Sequence, residues 1–175
     1  MALTKVGKEG IIGISNSSDT TAITISSTEK VTLGQQIAAK APAFRAYMSS
    51  QTFSNNTATV CAFNTEVFDT NGTYNTGDYK FTPLIAGYYF FKLQIFWSSS
   101  ARCMTGFYKN GSSDTETYAI PGTAAGGANN QSHAIIQLDA DDYVQAIAAQ
   151  STGGDLANNG NIALSNFSGH LLMAT

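Results

Sequence analysis

Residues 61–93 read CAFNTEVFDTNGTYNTGDYKFTPLIAGYYFFKL. Aromatic side chains recur through this stretch at Phe63, Tyr74 and Phe81, then alternate at Tyr89 and Phe91 and close on Leu93, with Asp69 and Gly87 between them. From Gly87 to Trp97 the residues sort by a period of two, the repeat of a β-strand whose successive side chains leave opposite faces. Tyr89, Phe91, Leu93, Ile95 and Trp97 make one wholly apolar face, suited to the interior of a sandwich. Tyr88, Phe90, Lys92, Gln94 and Phe96 make the other. Aromatics at Tyr88, Phe90 and Phe96 on a face turned to water read as a protein interface, the alternative being scattered surface aromatics that need no partner.

Outward from this strand, the chain from Pro42 on is a series of short apolar or alternating runs. Strands are predicted at Ala43–Met48, Thr57–Phe63, Glu66–Phe68, Tyr79–Phe81, Gly87–Trp97, Arg102–Lys109, Thr115–Ile120, Ser132–Leu138, Tyr143–Ala149 and Ile162–Met173. Turn signals separate them, among them Asn71-Gly72, Asn110-Gly111, Gly153-Gly154 and Asn158-Asn159-Gly160. Lys109-Asn110-Gly111-Ser112 is the clearest hairpin, because Asn-Gly supplies the positive-φ pair of a type I′ turn. No stretch repeats every 3.6 residues, so the fold class is all-β, an antiparallel sandwich.

Residues 1–40 form a separate N-terminal arm, with the head over 41–175. Four of the nine basic residues lie in the arm (Lys5, Lys8, Lys30, Lys40) against Glu9, Asp19 and Glu29, so the arm is near +1 and the remainder near −4. Thr20–Ile25 and Val31–Leu33 alternate as two short strands around a polar turn at Ser26–Lys30, and Gln35–Lys40 has room for one helical turn before Pro42. Two such strands cannot build a core, so the arm must pack on a partner, on sister chains or on its own head.

Composition excludes several functions. Charged residues make up 12% of the 175 and the net charge is −3, with no cluster of Lys and Arg. A phosphate-binding stripe, and with it nucleic acid as a partner, is therefore not expected. No segment approaches the length of a membrane span, and the first fifteen residues lack the apolar core of a secretory leader. The protein is expected to be made in a cytoplasm. Cys61 and Cys103 are too few for a disulfide scaffold; they read either as a pair or as two buried thiols.

The spacing resembles the globular head of complement component 1q, a branch of the tumour necrosis factor-like jelly rolls. That family places Phe, Asp or Asn, an aromatic, Phe, and then Gly-x-Tyr-x-Phe-x-aromatic in order. Phe63, Asp69, Tyr74, Phe81, Gly87, Tyr89 and Phe91 occupy those positions, and Leu93 departs only in being aliphatic. Phe81-Thr82-Pro83 with Ala86–Phe90, the Asn-Gly hairpin, Leu138–Val144 (with Asp141 in place of a Gly) and Phe167–Leu172 resemble further family motifs. The resemblance covers roughly residues 42–173. It implies a ten-stranded jelly roll that assembles as a homotrimer and binds rather than catalyses. The expected core is Phe63, Tyr74, Phe81, Tyr89, Phe91, Leu93, Trp97 and Phe167; the candidate trimer contacts are Tyr88, Phe90 and Phe96.

No catalytic residue and no cofactor is expected. The only histidines, His133 and His170, lie in predicted strands, and Gly-x-Ser-x-Gly is absent. Asp114 and Glu116 share a strand face but read as solvated. Asp139, Asp141 and Asp142, with Asp155 as a further member, are the best metal candidate; some relatives hold Ca²⁺, while an acidic turn is the plainer reading. The Gly/Asn-rich loops Thr123–Gln131 and Ser151–Asn161 read as recognition surface or as connectors.

The arm resembles the Ser/Thr-rich trimeric linkers of bacteriophage fibre and virion proteins. That implies a virion-surface protein anchored to other virion proteins through residues 1–40. Its role would be a short fibre whose head meets a host receptor or glycan, or alternatively a decoration protein that clamps the capsid. A secreted complement-type binding module is the third reading.

Overall fold

The computed structural model describes residues 23–25, 31–33, 41–99, 101–112, 120–124, 129–161 and 164–175. The chain divides into two units, Met1–Ala39 and Lys40–Thr175. In the first, β1 (Ile23–Ile25) pairs antiparallel with β2 (Val31–Leu33), Thr24 opposite Thr32. The helical turn expected at Gln35–Lys40 lies outside the described residues.

The second unit opens with β3 (Ala43–Tyr47), β4 (Thr52–Phe53), β5 (Thr59–Val60), β6 (Thr65–Asp69), β7 (Tyr74–Asn75) and β8 (Lys80–Phe81). The long strands β9 (Gly87–Phe96), β10 (Ala101–Lys109), β11 (Ile120–Ala124), β12 (Asn129–Leu138) and β13 (Val144–Gln150) follow, then β14 (Leu156–Ala157) and β15 (Asn166–Ala174). One sheet runs β12-β9-β15-β3-β6; the other runs β11-β10-β13-β8-β7, with β5 on β13. Every strand pairing is antiparallel. Neighbours far apart in sequence, such as β15 between β9 and β3, make this a jelly roll with non-local pairings. Of the strand expected at Thr115–Ile120, only Ile120 is described, and it begins β11. The pairs at β4, β7 and β14 are two residues long, too short to show any alternation in sequence.

The core follows from the period of two on β9. Its burial alternates along the strand, with Tyr89, Phe91, Leu93 and Ile95 fully enclosed and Trp97 enclosed just beyond. Phe63, Tyr74, Phe81 and Phe167 are buried with them. Phe44 is the hub of this cluster. Its ring stacks on Tyr74 at 4.7 Å and on Phe81 at 5.0 Å, and meets Phe167 edge-on at 4.9 Å. Such ring density needs space from the backbone, and Gly169 supplies it. A Cβ there would lie 2.6 Å from Phe91 and 2.9 Å from Phe44.

Asp69 has a local task. Its Oδ1 accepts from the Asn71 N–H (3.1 Å) and the Thr73 hydroxyl (3.2 Å), and its Oδ2 from the Tyr74 N–H (2.6 Å). The carboxylate thus closes the turn that delivers Tyr74 inward, where the phenol donates to the Phe63 carbonyl at 2.9 Å. The spacing of Phe63, Asp69 and Tyr74 is the footprint of one turn. Cys61 and Cys103 are free and buried, not paired. Burial pushes the Cys103 thiol up to about 11 and raises Cys61 further, so both behave as small apolar side chains.

Candidate functional site on the outer face of the five-stranded sheet

Strand β9 lies second in its sheet, flanked by β12 and β15, so its outward residues meet neighbours on both sides. Phe90 sits opposite Ile135 on β12 and His170 on β15. Its ring lies 6.4 Å from His133 and 5.5 Å from His170, so the two histidines of the chain flank one half-buried phenylalanine. Tyr88 sits opposite Gln137 and Met173. A register shift between Leu171 and Met173 turns Leu171 inward opposite Tyr89 and leaves Leu172 and Met173 outside, as a β-bulge does.

This end of the sheet is openly apolar. Ile135 is 60% exposed, Met173 58% and Leu172 49%, beside the half-buried Tyr88 and Phe90. Leu84 and Ile85 add exposed apolar area in the turn leading into β9. Strands β3, β9, β12 and β15 carry no carboxylate, and the cations present are Lys92 and Arg45. The face therefore offers apolar area with a weak positive bias, and little ionic complementarity to itself. Phe96 belongs to the opposite end of β9, opposite Asn129, about 26 Å from Tyr88 at strand rise. The three candidate contacts thus form two zones, Tyr88 with Phe90 and Phe96 alone.

The acidic turn is differently occupied. Asp142 accepts from Asn110 Nδ2 (2.7 Å) and the Asp139 N–H (2.8 Å) and pairs with Lys109 at 3.1 Å. Burial opposes ionisation of Asp142, but the bonds from Asn110, Asp139 and Lys109, with the lysine charge, outweigh it and hold the carboxyl below its ordinary value. Asn110 and Gly111 have φ of 53° and 74°, as a type I′ turn requires. The Asn110 side chain also accepts from the Tyr143 N–H at 2.9 Å. Asp142 is therefore the staple between the Asn-Gly hairpin and the turn before β13. Asp139 and Asp141 are exposed, and the described residues include no cluster of three or more metal-binding side chains.

The loop at Ser151–Asn161 is laced down over much of its length. Leu156 and Ala157 pair with Phe53 and Thr52. The buried Asn158 accepts from the Gln51 N–H at 2.6 Å and donates to the Ser49 carbonyl at 3.2 Å. Residues 125–128 of the loop Thr123–Gln131, and the pair Asp114 and Glu116, lie outside the described residues. Sequence reasoning missed the placement of both histidines against Phe90. Their spacing along the chain held no signal for it, because it depends on β12 and β15 flanking β9.

Three solved structures share the architecture. The globular domain of zebrafish complement 1qA protein superposes with a TM-score of 0.53 at 16% identity, covering 77% of this chain and 99% of that one. Murine APRIL at pH 5.0 gives 0.58 at 12% identity, covering 76% and 100%. Eiger TNF from S. frugiperda gives 0.52 at 14% identity, covering 77% and 94%. At such identities the likeness establishes the fold. No curated protein sequence matches the chain significantly. The family model of the C1q domain, however, matches residues 43–172, which takes in every strand from β3 to β14 and most of β15. The chain belongs to the C1q domain family, on the jelly roll that family shares with the tumour necrosis factor-like proteins.

Proposed function

We propose that this chain is a homotrimeric, non-enzymatic binding protein of a bacteriophage virion surface, a short fibre whose head contacts the host. The observation that carries the trimer is the open apolar face around Phe90. Ile135, Leu172 and Met173 are each about half exposed or more, beside two aromatics, on strands β9, β12 and β15, which carry no carboxylate. Contiguous apolar area of this kind favours burial against another protein surface. Two further copies arranged about a three-fold axis supply that surface without requiring opposite charges. The virion assignment is supported by the Ser/Thr-rich character of residues 1–40 and by the short β1–β2 hairpin, too small to hold its own core.

Sedimentation equilibrium at micromolar concentration is expected to give a trimer; a stable monomer overturns the assembly. Phage carrying a deletion of residues 1–40 are expected to lose the protein from the particle while the isolated head stays folded. Normal incorporation of the truncated chain overturns the anchoring. Particles lacking the protein should adsorb poorly to the host if it is a fibre. Intact adsorption with heat-fragile capsids would assign it instead to capsid decoration.

A further inference from the structure

A cavity of about 340 Å³ opens on the outer side of the six-stranded sheet, away from the Phe90 face. Arg102 and Met104 of β10 border it on one side and Asn56 and Ala58 on the other, with Ala149 and Ser151 between. Its frame is rigidly tied. The buried Gln150 donates to the Phe53 and Gly154 carbonyls (both 2.8 Å) and accepts from the Thr152 N–H (2.9 Å) and hydroxyl (2.8 Å). The Asn56 N–H donates to the Gln150 carbonyl (2.8 Å) and the Ser151 N–H to the Arg102 carbonyl (3.0 Å). Asn56 holds a φ of 56°, and its N–H bond to the Gln150 carbonyl ties that turn to β13.

The frame is satisfied, whereas the groups that face the opening are not. The ion pairs among the described residues are Lys80 with Asp78 and Lys109 with Asp142, and Arg102 is in neither. The Arg102 guanidinium, the Asn56 carboxamide and the Ser151 hydroxyl make no hydrogen bond among the described residues. Met104, Ala58 and Ala149 give an apolar floor between them. A preformed concave site with an apolar floor and a few unspent polar groups is the usual form of a small-ligand site.

We propose that this cavity binds a uronate-type acidic monosaccharide. The planar guanidinium fits a carboxylate through two parallel hydrogen bonds. Carboxamide and hydroxyl suit ring hydroxyls, while Met104 and the alanines accept the C–H face of a sugar ring. A cavity of about 340 Å³ takes one such ring. The inference rests on reading the head as a binding module, and it names the ligand class that module takes.

The test titrates the full-length protein with free glucuronate, glucose and propionate, following ligand resonances by NMR, with light scattering on the same sample. Glucuronate is expected to bind saturably. Glucose and propionate each bind about tenfold more weakly, since each lacks one half of the recognition. Arg102→Gln is expected to weaken glucuronate about tenfold or more, and Arg102→Lys to restore part of it. Arg102 is exposed, so both variants keep the fold. Equal binding of glucose and glucuronate, propionate binding as tightly as glucuronate, or no loss in Arg102→Gln overturns the proposal. Absence of glucuronate binding by an intact trimer overturns the site alone; a monomeric wild type overturns the assembly reading instead.

Discussion

Strand β9 presents aromatics on both of its faces, and the two sets do different work. Inward, Tyr89 and Phe91 are wholly enclosed, and Phe91 touches the rings of Phe44, Phe81, Phe107 and Phe167. Outward, Tyr88 and Phe90 are partly buried, and among the described residues the ring contacts of Phe90 are with the two imidazoles. One residue of displacement along the same backbone changes the environment from a close-packed aromatic cluster to an open surface. Residue type alone says nothing about which role an aromatic takes. The partners brought by the sheet decide it.

The sharpest way to break this contrast is to truncate both neighbours. Phe91→Ala should cost about 3–5 kcal/mol, the range for deleting a ring from a close-packed core. That is a large fraction of the roughly 5–15 kcal/mol that holds an ordinary domain together. Phe90→Ala should cost the head about 1 kcal/mol. Chemical denaturation of both variants measures the pair, and similar losses would erase the distinction between the faces. Phe90→Asp sharpens it from the other side. The head should stay folded by circular dichroism while the proposed trimer dissociates about 30-fold or more readily, because that assembly would place the carboxylate in a desolvated contact. An unchanged trimer would move the assembly surface away from Phe90.

The inward face was legible in the sequence because burial on β9 obeys a strict period of two, and the aromatics at Phe63, Tyr74 and Phe81 keep the spacing of the turns that deliver them. The Asn-Gly hairpin was legible for a similar reason, since its geometry is local to Asn110 and Gly111. What was not legible depends on non-local pairing. His133 and His170 lie 37 residues apart, and both reach Phe90 only through the β12-β9-β15 order. The Arg102 cavity likewise joins β10, β13 and the turn at Asn56, three segments that share no local pattern. Asp142 showed its charge in the sequence but not its task. Reading it as a metal candidate or as an acidic turn required knowing that Lys109 and Asn110 lie against it.

Gly169 tests how tightly the inward face is packed. Gly169→Ala would drive a Cβ against the Phe91 and Phe44 rings, neither of which can rotate away in a core this dense. The expected cost is about 1–3 kcal/mol, below that of removing Phe91 itself. Urea unfolding at constant m-value would register it. A neutral substitution would mean that the ring cluster has slack, and the difference between the two faces of β9 would then be one of exposure rather than packing.

An effect as small as that of Phe90→Ala lies away from both faces, at the staple between the Asn-Gly hairpin and the turn before β13. The Asp142 carboxyl is held below its ordinary value of 3.8 in the folded chain, so folding favours the ionised form. Its contribution is present above the unfolded value and is lost as pH falls through the folded one. At neutral pH, Asp142→Asn should cost about 1 kcal/mol, because the ion pair with Lys109 is lost, while Lys109 keeps its bond to the Gln137 carbonyl and the amide oxygen can still accept one hydrogen bond. As the medium is acidified below about 3.8, the wild type becomes protonated too, and the gap between the two proteins should close. Melting temperatures of both across that window measure it. A gap that stays constant with pH would mean that the hydrogen bonds, and not the charge on Asp142, hold the hairpin against the turn.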